Sequence, residues 1–198
     1  MTITYEVGQG LYVNVTNRCT NSCDFCVRSV ADGTYGELWL EREPAKEEIL
    51  ESILSHDINK YSELVFCGYG EPTERIDDIL WIAGEVKKQS KIPIRLNTNG
   101  HANLIAGRDV TPELSGKIDC VSVSLNTANA KDYVKVCHPV YGDAAFDALL
   151  DFAERAGKHV PDVMLSVVRG TIPEAELIKC KELASKRQVK LKIREYIK

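Results

Sequence analysis

Three cysteines near the start of the chain, Cys19, Cys23 and Cys26, follow one another at CxxxCxxC spacing. Thiolates are soft ligands that suit zinc and iron–sulfur clusters. Three thiolates can bind three irons of a cubane [4Fe–4S] cluster, and because such clusters usually take four cysteines, one iron stays open. The spacing therefore predicts a metal centre that can bind a small molecule and pass it an electron.

Zinc and disulfide bonds are the alternatives for these cysteines, and both have less support. A structural zinc ion takes four ligands, commonly from CxxC pairs with a second Cys or His pair. No second CxxC occurs, and His56 and His101 stand apart in the sequence. An odd total of seven cysteines, three of them clustered, suits a reducing cytosol better than a disulfide framework.

A second motif, Gly68-Tyr69-Gly70-Glu71-Pro72-Thr73, follows the short apolar run Glu63–Cys67. Gly70 lets the backbone approach a ligand closely. The Glu71 carboxylate can accept a charge-assisted hydrogen bond from an ammonium group. A tight turn before a helix is the alternative interpretation.

Together, the CxxxCxxC run and the GxGEP stretch resemble the radical SAM enzymes. That resemblance implies a [4Fe–4S] cluster on the three cysteines, with S-adenosylmethionine (SAM) chelating the open iron. It also implies reductive cleavage of SAM to a 5′-deoxyadenosyl radical, which abstracts hydrogen from an unidentified substrate. The stretch from Phe66 to Thr73 further resembles short radical SAM proteins associated or fused with TatD-type metal-dependent hydrolases.

The resemblance assigns SAM contacts to the first two motifs. It implies that Phe25, next to the third cysteine, packs near the adenine; an aromatic that shields the cluster from water is the alternative. It implies that Gly68, Gly70 and Glu71 receive the SAM ammonium.

The run Asn97-Thr98-Asn99-Gly100 resembles the Asp-Thr-Asn-Gly stretch of the activases of glycyl radical enzymes. In those enzymes the aspartate and threonine help to hold a monovalent cation near SAM, and Asn97 lacks that carboxylate. An Asn-Gly turn is the alternative. The run nevertheless favours a second function, an activase that installs a glycyl radical on a partner enzyme.

Small polar residues Ser122, Ser124 and Asn126 recur at every second position of one predicted strand, so they share a face. Buried polar side chains need partners, and the resemblance implies that ribose hydroxyls or the SAM carboxylate supply them, with Ser124 and Asn126 favoured. Arg169, at the end of the next strand, is a candidate for the SAM carboxylate or a surface arginine. Ile193 is a candidate for the adenine by analogy of fold.

The remaining cysteines carry weaker expectations. Cys67, Cys120 and Cys180 are interpreted as buried structural thiols. The run Cys137-His138-Pro139 either faces the substrate or forms an ordinary turn.

Alternating strands and helices position these residues. The predicted strands are Leu11–Thr16, Glu63–Cys67, Ile92–Asn97, Asp119–Asn126, Asp162–Val168 and Val189–Ile197. The predicted helices are Ala45–Asp57, Arg75–Gln89, Ala144–Lys158 and one that begins at Pro173 with Thr171 as its cap. This order predicts a parallel sheet with right-handed crossovers. A closed eight-stranded barrel typically needs about 250 residues, so the 198 residues predict an α/β fold, a partial (βα)6 TIM-like barrel, as a single radical SAM core domain over residues 1–198.

Composition excludes several other classes. The net charge of −4 gives no general bias toward nucleic acid, and the basic stretch 179–198 is interpreted as a solvated face. No signal peptide or apolar run of membrane-spanning length occurs, so we expect a cytoplasmic protein. The resemblance implies a one-electron reductant of the flavodoxin or ferredoxin type, and either a TatD-like hydrolase or a glycyl radical enzyme as a further partner.

Overall fold

The computed structural model describes residues 1–29 and 37–195. One sheet carries seven strands in chain order. Their bounds are β1 Thr4–Val7, β2 Gly10–Val13, β3 Glu63–Phe66, β4 Ile94–Thr98, β5 Cys120–Ser124, β6 Asp162–Val168 and β7 Lys190–Arg194. Strand β1 pairs antiparallel with β2, and every later pair is parallel.

Six α-helices accompany the strands in the described part of the chain. They are α1 Lys46–Leu54, α2 Ile76–Gln89, α3 Ala102–Ala106, α4 Ala130–Cys137, α5 Ala144–Ala156 and α6 Glu174–Lys186. Short 3₁₀ turns at Pro72–Arg75 and Thr111–Leu114 precede α2 and β5. Among the described residues, we find no helix with the length and apolar character needed to cross a bilayer.

The prediction of a partial barrel is confirmed, because β2–β7 are six parallel strands in an open sheet. Strand β1 was missed. It forms a hairpin with β2 around Gly8, whose φ of 59° favours glycine. The sequence signal was the Gly8-Gln9-Gly10 turn between two short alternating runs, a common hairpin pattern.

The predicted boundaries differ from the structure mainly by a few residues. Strand β7 ends at Arg194, and residues 196–197 of the predicted strand lie outside the described residues. Thr171 is not the cap of α6, because its hydroxyl donates to the Val168 carbonyl and Pro173 precedes the helix. Helices α3 and α4 were not predicted, since they are only five and eight residues long.

The two faces of the sheet differ in chemistry, as the alternation of a strand requires. Apolar side chains fill the face that packs against the helices, for example Phe66, Leu96 and Val123, all fully buried. The opposite, concave face, which we call the lumen, carries the alternate positions. Those positions include Asn97, Ser122, Ser124 and Ser166. Parallel strands are usually apolar on both faces, so a polar lumen indicates a place for a ligand.

Candidate metal centre and active site

The loop with the three cysteines follows β2 at the carboxyl end of the sheet and is hydrogen bonded to the end of α4. The Ser22 and Asp24 amides donate to the Cys137 and Val136 carbonyls at 3.0 Å each, and the Val140 amide donates to the Thr20 carbonyl at 2.9 Å. These bonds fix the cysteine loop from a distant part of the chain. They also show that the Cys137-His138-Pro139 run borders the cysteine loop.

The three thiols lie in a partly buried environment that disfavours their charged form. Burial, reinforced by the nearby Glu71 carboxylate, raises the pKa of Cys19 to about 12. Burial also raises the pKa of Cys26, and a hydrogen bond with Cys137 together with burial raises that of Cys23. A coordinated metal cation reverses this preference, because it stabilises the thiolate directly.

The chemistry of the three cysteines fits an iron–sulfur cluster, because thiolates are the ligands that such clusters take. Among residues 1–29 and 37–195, no group of three His, Cys, Asp or Glu side chains converges on one point. A structural zinc site needs four ligands around one ion. A cubane instead offers separate irons, one to each thiolate, and all three cysteines are free thiols on one loop. Three free thiols on one loop therefore have the chemistry that the predicted cluster needs.

A buried polar network holds the middle of the cysteine loop against β4. Asn99 Nδ2 donates to Thr20 Oγ1 at 2.8 Å, and Thr20 Oγ1 lies 3.0 Å from His101 Nδ1. Since Thr20 accepts from Asn99, its own hydrogen is available to His101 Nδ1. The other ring nitrogen lies 3.4 Å from the Tyr133 hydroxyl, which accepts from Asn21 Nδ2 at 2.9 Å. No sequence pattern predicted this role of His101.

The glycines of the GxGEP stretch have a structural reason. A Cβ on Gly70 would lie 2.2 Å from the Thr16 carbonyl oxygen and 2.6 Å from that of Arg18, and one on Gly68 would lie 2.0 Å from Asn14 Oδ1. The Glu71 amide also donates to the Arg18 carbonyl at 2.7 Å. The close approach in this structure is therefore between this stretch and the base of the cysteine loop, where the sequence predicted approach to a ligand.

Glu71 is buried, and protein donors already occupy most of its carboxylate. Oε1 accepts from the Thr73 amide at 3.0 Å and from the hydroxyls of Thr73 and Thr98 at 2.7 and 2.6 Å. Oε2 accepts only from the Asn99 amide, at 2.7 Å. Burial raises the pKa of Glu71, and these hydrogen bonds oppose the rise. An oxygen with two acceptor directions keeps one free at Oε2, so that oxygen can accept one further hydrogen bond.

The Asn97-Thr98 pair has partners that disfavour the cation site implied for it. Asn97 Oδ1 accepts from Arg95 Nη1 at 3.3 Å, so a positive group already lies beside this oxygen. The Thr98 hydroxyl donates to Glu71 and accepts from the Gly100 amide at 3.0 Å. Gly100, at φ 85°, is the glycine of the predicted turn.

Asn126 carries an unsatisfied polar atom at the end of β5. Its side chain is buried, Nδ2 donates to Cys137 Sγ at 3.5 Å, and Oδ1 has no hydrogen-bond partner among the described residues. Its backbone has φ 62°, a region that asparagine tolerates better than most residues. A buried oxygen without a donor is costly, which fits a ligand hydroxyl or amine. Ser124, two residues earlier, faces the lumen as predicted.

Arg169 and Ile193 do not reach the lumen. The Arg169 side chain is 50% exposed and Nε donates to Glu195 Oε1 at 3.0 Å, so it is the surface arginine of the alternative interpretation. Ile193 packs on the hydrophobic core, because it alternates with Arg194 along β7. Arg194 is a residue of this strand that faces the lumen, so the interpretation of the basic stretch 179–198 as a solvated face is wrong at this position.

Phe25 and the remaining cysteines complete the set of predicted residues. Phe25, between Cys23 and Cys26, is partly buried against the core. Cys180 is buried in α6, as predicted. Cys67 and Cys120 differ from the prediction, since both are only half-buried and share the lumen face; the Cys120 thiol lies 3.9 Å from Asp162 Oδ2. Cys67 and Cys120 each lie one residue away from residues that face the core, which explains why they are only half-buried.

Comparison with known families identifies one match. The model of the family described as the Radical SAM superfamily matches residues 13–184. That segment begins in β2 and ends in α6, so it includes the cysteine loop, the GxGEP stretch and Asn126. No curated protein matches the sequence.

Solved structures with the same fold support this match. SuiB of Streptococcus suis bound to S-adenosylmethionine has 16% identity and a TM-score of 0.69, over 96% of this chain and 41% of that protein. The protein anSMEcpe with bound AdoMet has 18% identity and a TM-score of 0.66, over 94% and 50%. A radical SAM methyltransferase from Sphaerobacter thermophilus has 12% identity and a TM-score of 0.67, over 97% and 68%. The chain thus spans about half or less of the first two proteins.

Proposed function

The chain belongs to the radical SAM superfamily, and we propose that it is an enzyme that binds a [4Fe–4S] cluster and SAM to start a radical reaction on a substrate in the lumen. The observation that carries the proposal is the loop with Cys19, Cys23 and Cys26, held at the carboxyl end of the strands beside the unsatisfied Oδ1 of Asn126. When bound, the cluster and SAM supply one-electron cleavage of SAM to methionine and a 5′-deoxyadenosyl radical.

The protein's own residues bind and orient the two groups. The three thiols would hold the cluster, and Glu71 Oε2 would accept from the SAM ammonium through its free acceptor direction. Asn126 Oδ1 and the Ser124 hydroxyl would take the ribose hydroxyls. The backbone hydrogen bonds between the cysteine loop and α4 hold the loop in place.

A one-electron reductant of the flavodoxin or ferredoxin type is the proposed electron donor. The outer surface of the cysteine loop is accessible to such a partner, since the side chains of Arg18 and Asp24 are 57% and 63% exposed. All seven cysteines are free thiols, which supports the reducing environment of the cytoplasm.

The finer assignment to the TatD-associated group, with a TatD-like hydrolase as partner, rests on the Phe66–Thr73 stretch and stays part of the proposal. The activase alternative has less support. The Asn97 oxygen lies against the Arg95 guanidinium, which disfavours a cation at that position.

The test is SAM cleavage by protein reconstituted anaerobically with iron and sulfide and reduced with dithionite. We expect 5′-deoxyadenosine from the wild type and from the control Cys180→Ala, and none from Cys23→Ala. Cys180 is a suitable control because its thiol is buried on α6. A reduced cluster that neither cleaves SAM nor changes its electron paramagnetic resonance spectrum when SAM is added contradicts the proposal. A wild type that assembles no cluster contradicts it equally.

A further inference from the structure

Arg194, at the end of β7, directs a guanidinium into the lumen. Ser124 of β5 pairs with Ser166 of β6, and Ser166 pairs with Lys192 of β7. Arg194 is two residues beyond Lys192 and therefore lies on the same face. Its Nη2 reaches back to lie 3.5 Å from Ser124 Oγ, which takes the side chain past Ser166.

This guanidinium has no carboxylate partner in the described part of the chain. No ion pair involves Arg194, and its buried Nε has no hydrogen-bond acceptor. Burial lowers the pKa of Arg194, which is the direction expected when a cation loses water without gaining an anion.

Arg95, the other arginine of the lumen, differs from Arg194 because its guanidinium has a carboxylate partner. Its Nε and Nη2 donate to the Glu63 carboxylate at 3.0 and 2.7 Å, and Nη2 also donates to the Tyr12 hydroxyl at 3.1 Å. The protein therefore neutralises one lumen arginine and leaves its neighbour without a counter-charge.

The charge of Arg194 is close enough to act on lumen side chains of the first strands of the sheet. It acts on Arg95, Tyr12 and Cys67. Arg95 lies in β4, Tyr12 lies in β2, and Cys67 directly follows β3. The Ser166 hydroxyl, buried beside Ser124, also has no partner among the described residues.

We propose that Arg194, with the Ser166 hydroxyl, binds an anionic oxygen group of the substrate, a carboxylate or a phosphate. The guanidinium offers the fork of donors that such a group takes. The substrate is then a small acid whose charged end lies beside Arg194 in the lumen. This inference rests on the proposed function, since it names the substrate class of the same site.

Inorganic phosphate is a suitable probe of this site. Thermal unfolding of the anaerobically reconstituted protein is followed in sodium phosphate and in sodium chloride of equal ionic strength. A ligand that binds only the folded state raises the melting temperature. We compare the wild type, Arg194→Met and the control Arg155→Met, whose exposed guanidinium pairs with Asp151 and Asp109.

We expect phosphate to stabilise the wild type and the control. The affinity for phosphate should fall about tenfold or more in Arg194→Met, because a charge-assisted interaction is lost. Without phosphate, Arg194→Met should melt at a higher temperature than the wild type, because an uncompensated cation has been removed. An equal phosphate effect in Arg194→Met, or none in the wild type, overturns the proposal.

The carboxylate of SAM is the other source of such an anion. SAM affinity is therefore measured on the same proteins by equilibrium dialysis. If the SAM affinity falls in Arg194→Met as much as the phosphate affinity does, the guanidinium binds SAM. That result would overturn its assignment to the substrate. Because phosphate binding needs no SAM cleavage, failure of the proposed function is recognised separately, by absent 5′-deoxyadenosine.

Discussion

The Thr98 hydroxyl donates a 2.6 Å hydrogen bond to Oε1 of Glu71, and this contact joins the end of β4 to the loop that follows β3. The same carboxylate accepts from Thr73 and from the Asn99 amide, so one side chain connects the turn after β3 to the end of β4. Glu71 thus has a structural role besides the contact with SAM that we propose for it.

Replacing Glu71 with alanine should lower the free energy of unfolding by about 3 kcal/mol, because buried donors lose their acceptor. Urea denaturation measures the change. The control is Glu85→Ala, which removes only a surface ion pair with Lys88 and should change stability by less than about 0.5 kcal/mol. Equal effects of the two substitutions would contradict a structural role for Glu71.

Gly70→Ala should destabilise the protein by about 2 kcal/mol and reduce the iron content after reconstitution. Its Cβ would meet two backbone carbonyls at the base of the cysteine loop, and backbone cannot move aside easily. Gly84→Ala in α2 is the matched control, because nothing lies within 4 Å of its Cβ position, and it should stabilise the helix by about 0.5–1 kcal/mol. Iron and sulfide analysis measures the cluster content of the two variants, and urea denaturation measures their stability. Normal iron content in Gly70→Ala would contradict the close packing seen here.

Acid should destabilise the protein through His101. Burial lowers the pKa of this ring to about 4, below the ordinary histidine value of about 6.5. The unfolded chain then binds the proton more tightly, so the contribution of the neutral ring is full above pH 6.5 and lost as the pH falls toward 4. The expected loss between pH 7 and pH 5 is about 2 kcal/mol. Urea denaturation at both pH values should show a smaller loss in His101→Gln; the same pH dependence in that variant would contradict the assignment.

The variants Asn126→Gly and Asn126→Ala distinguish the effect of the Asn126 side chain from the effect of its backbone conformation at the end of β5. Both remove the unsatisfied Oδ1, so SAM affinity should fall about tenfold in each. Only alanine is strained at φ 62°, so Asn126→Ala should also lose about 1 kcal/mol of stability relative to Asn126→Gly. Equilibrium dialysis with SAM and urea denaturation provide the two readouts. Wild-type SAM affinity in the glycine variant would exclude Asn126 from the site.

Local patterns predicted the parallel sheet and the position of the motifs, because hydrophobic alternation and strand–helix order are properties of short segments. The partners of those motifs could not be predicted. His101 and Tyr133 contact the cysteine loop only after the sheet forms. Arg169 and Arg194 look alike in sequence, and the face of each strand end decides which one reaches the lumen.

The bonds between the cysteine loop and α4 also bear on how the protein is assembled during synthesis. Cys23 and Cys137 are separated by 114 positions, so the metal ligands leave the ribosome long before the helix that fixes their loop. Domains generally fold as units during translation. We therefore expect cluster insertion to follow chain completion through α4, with the cysteines needing protection from oxidation until then.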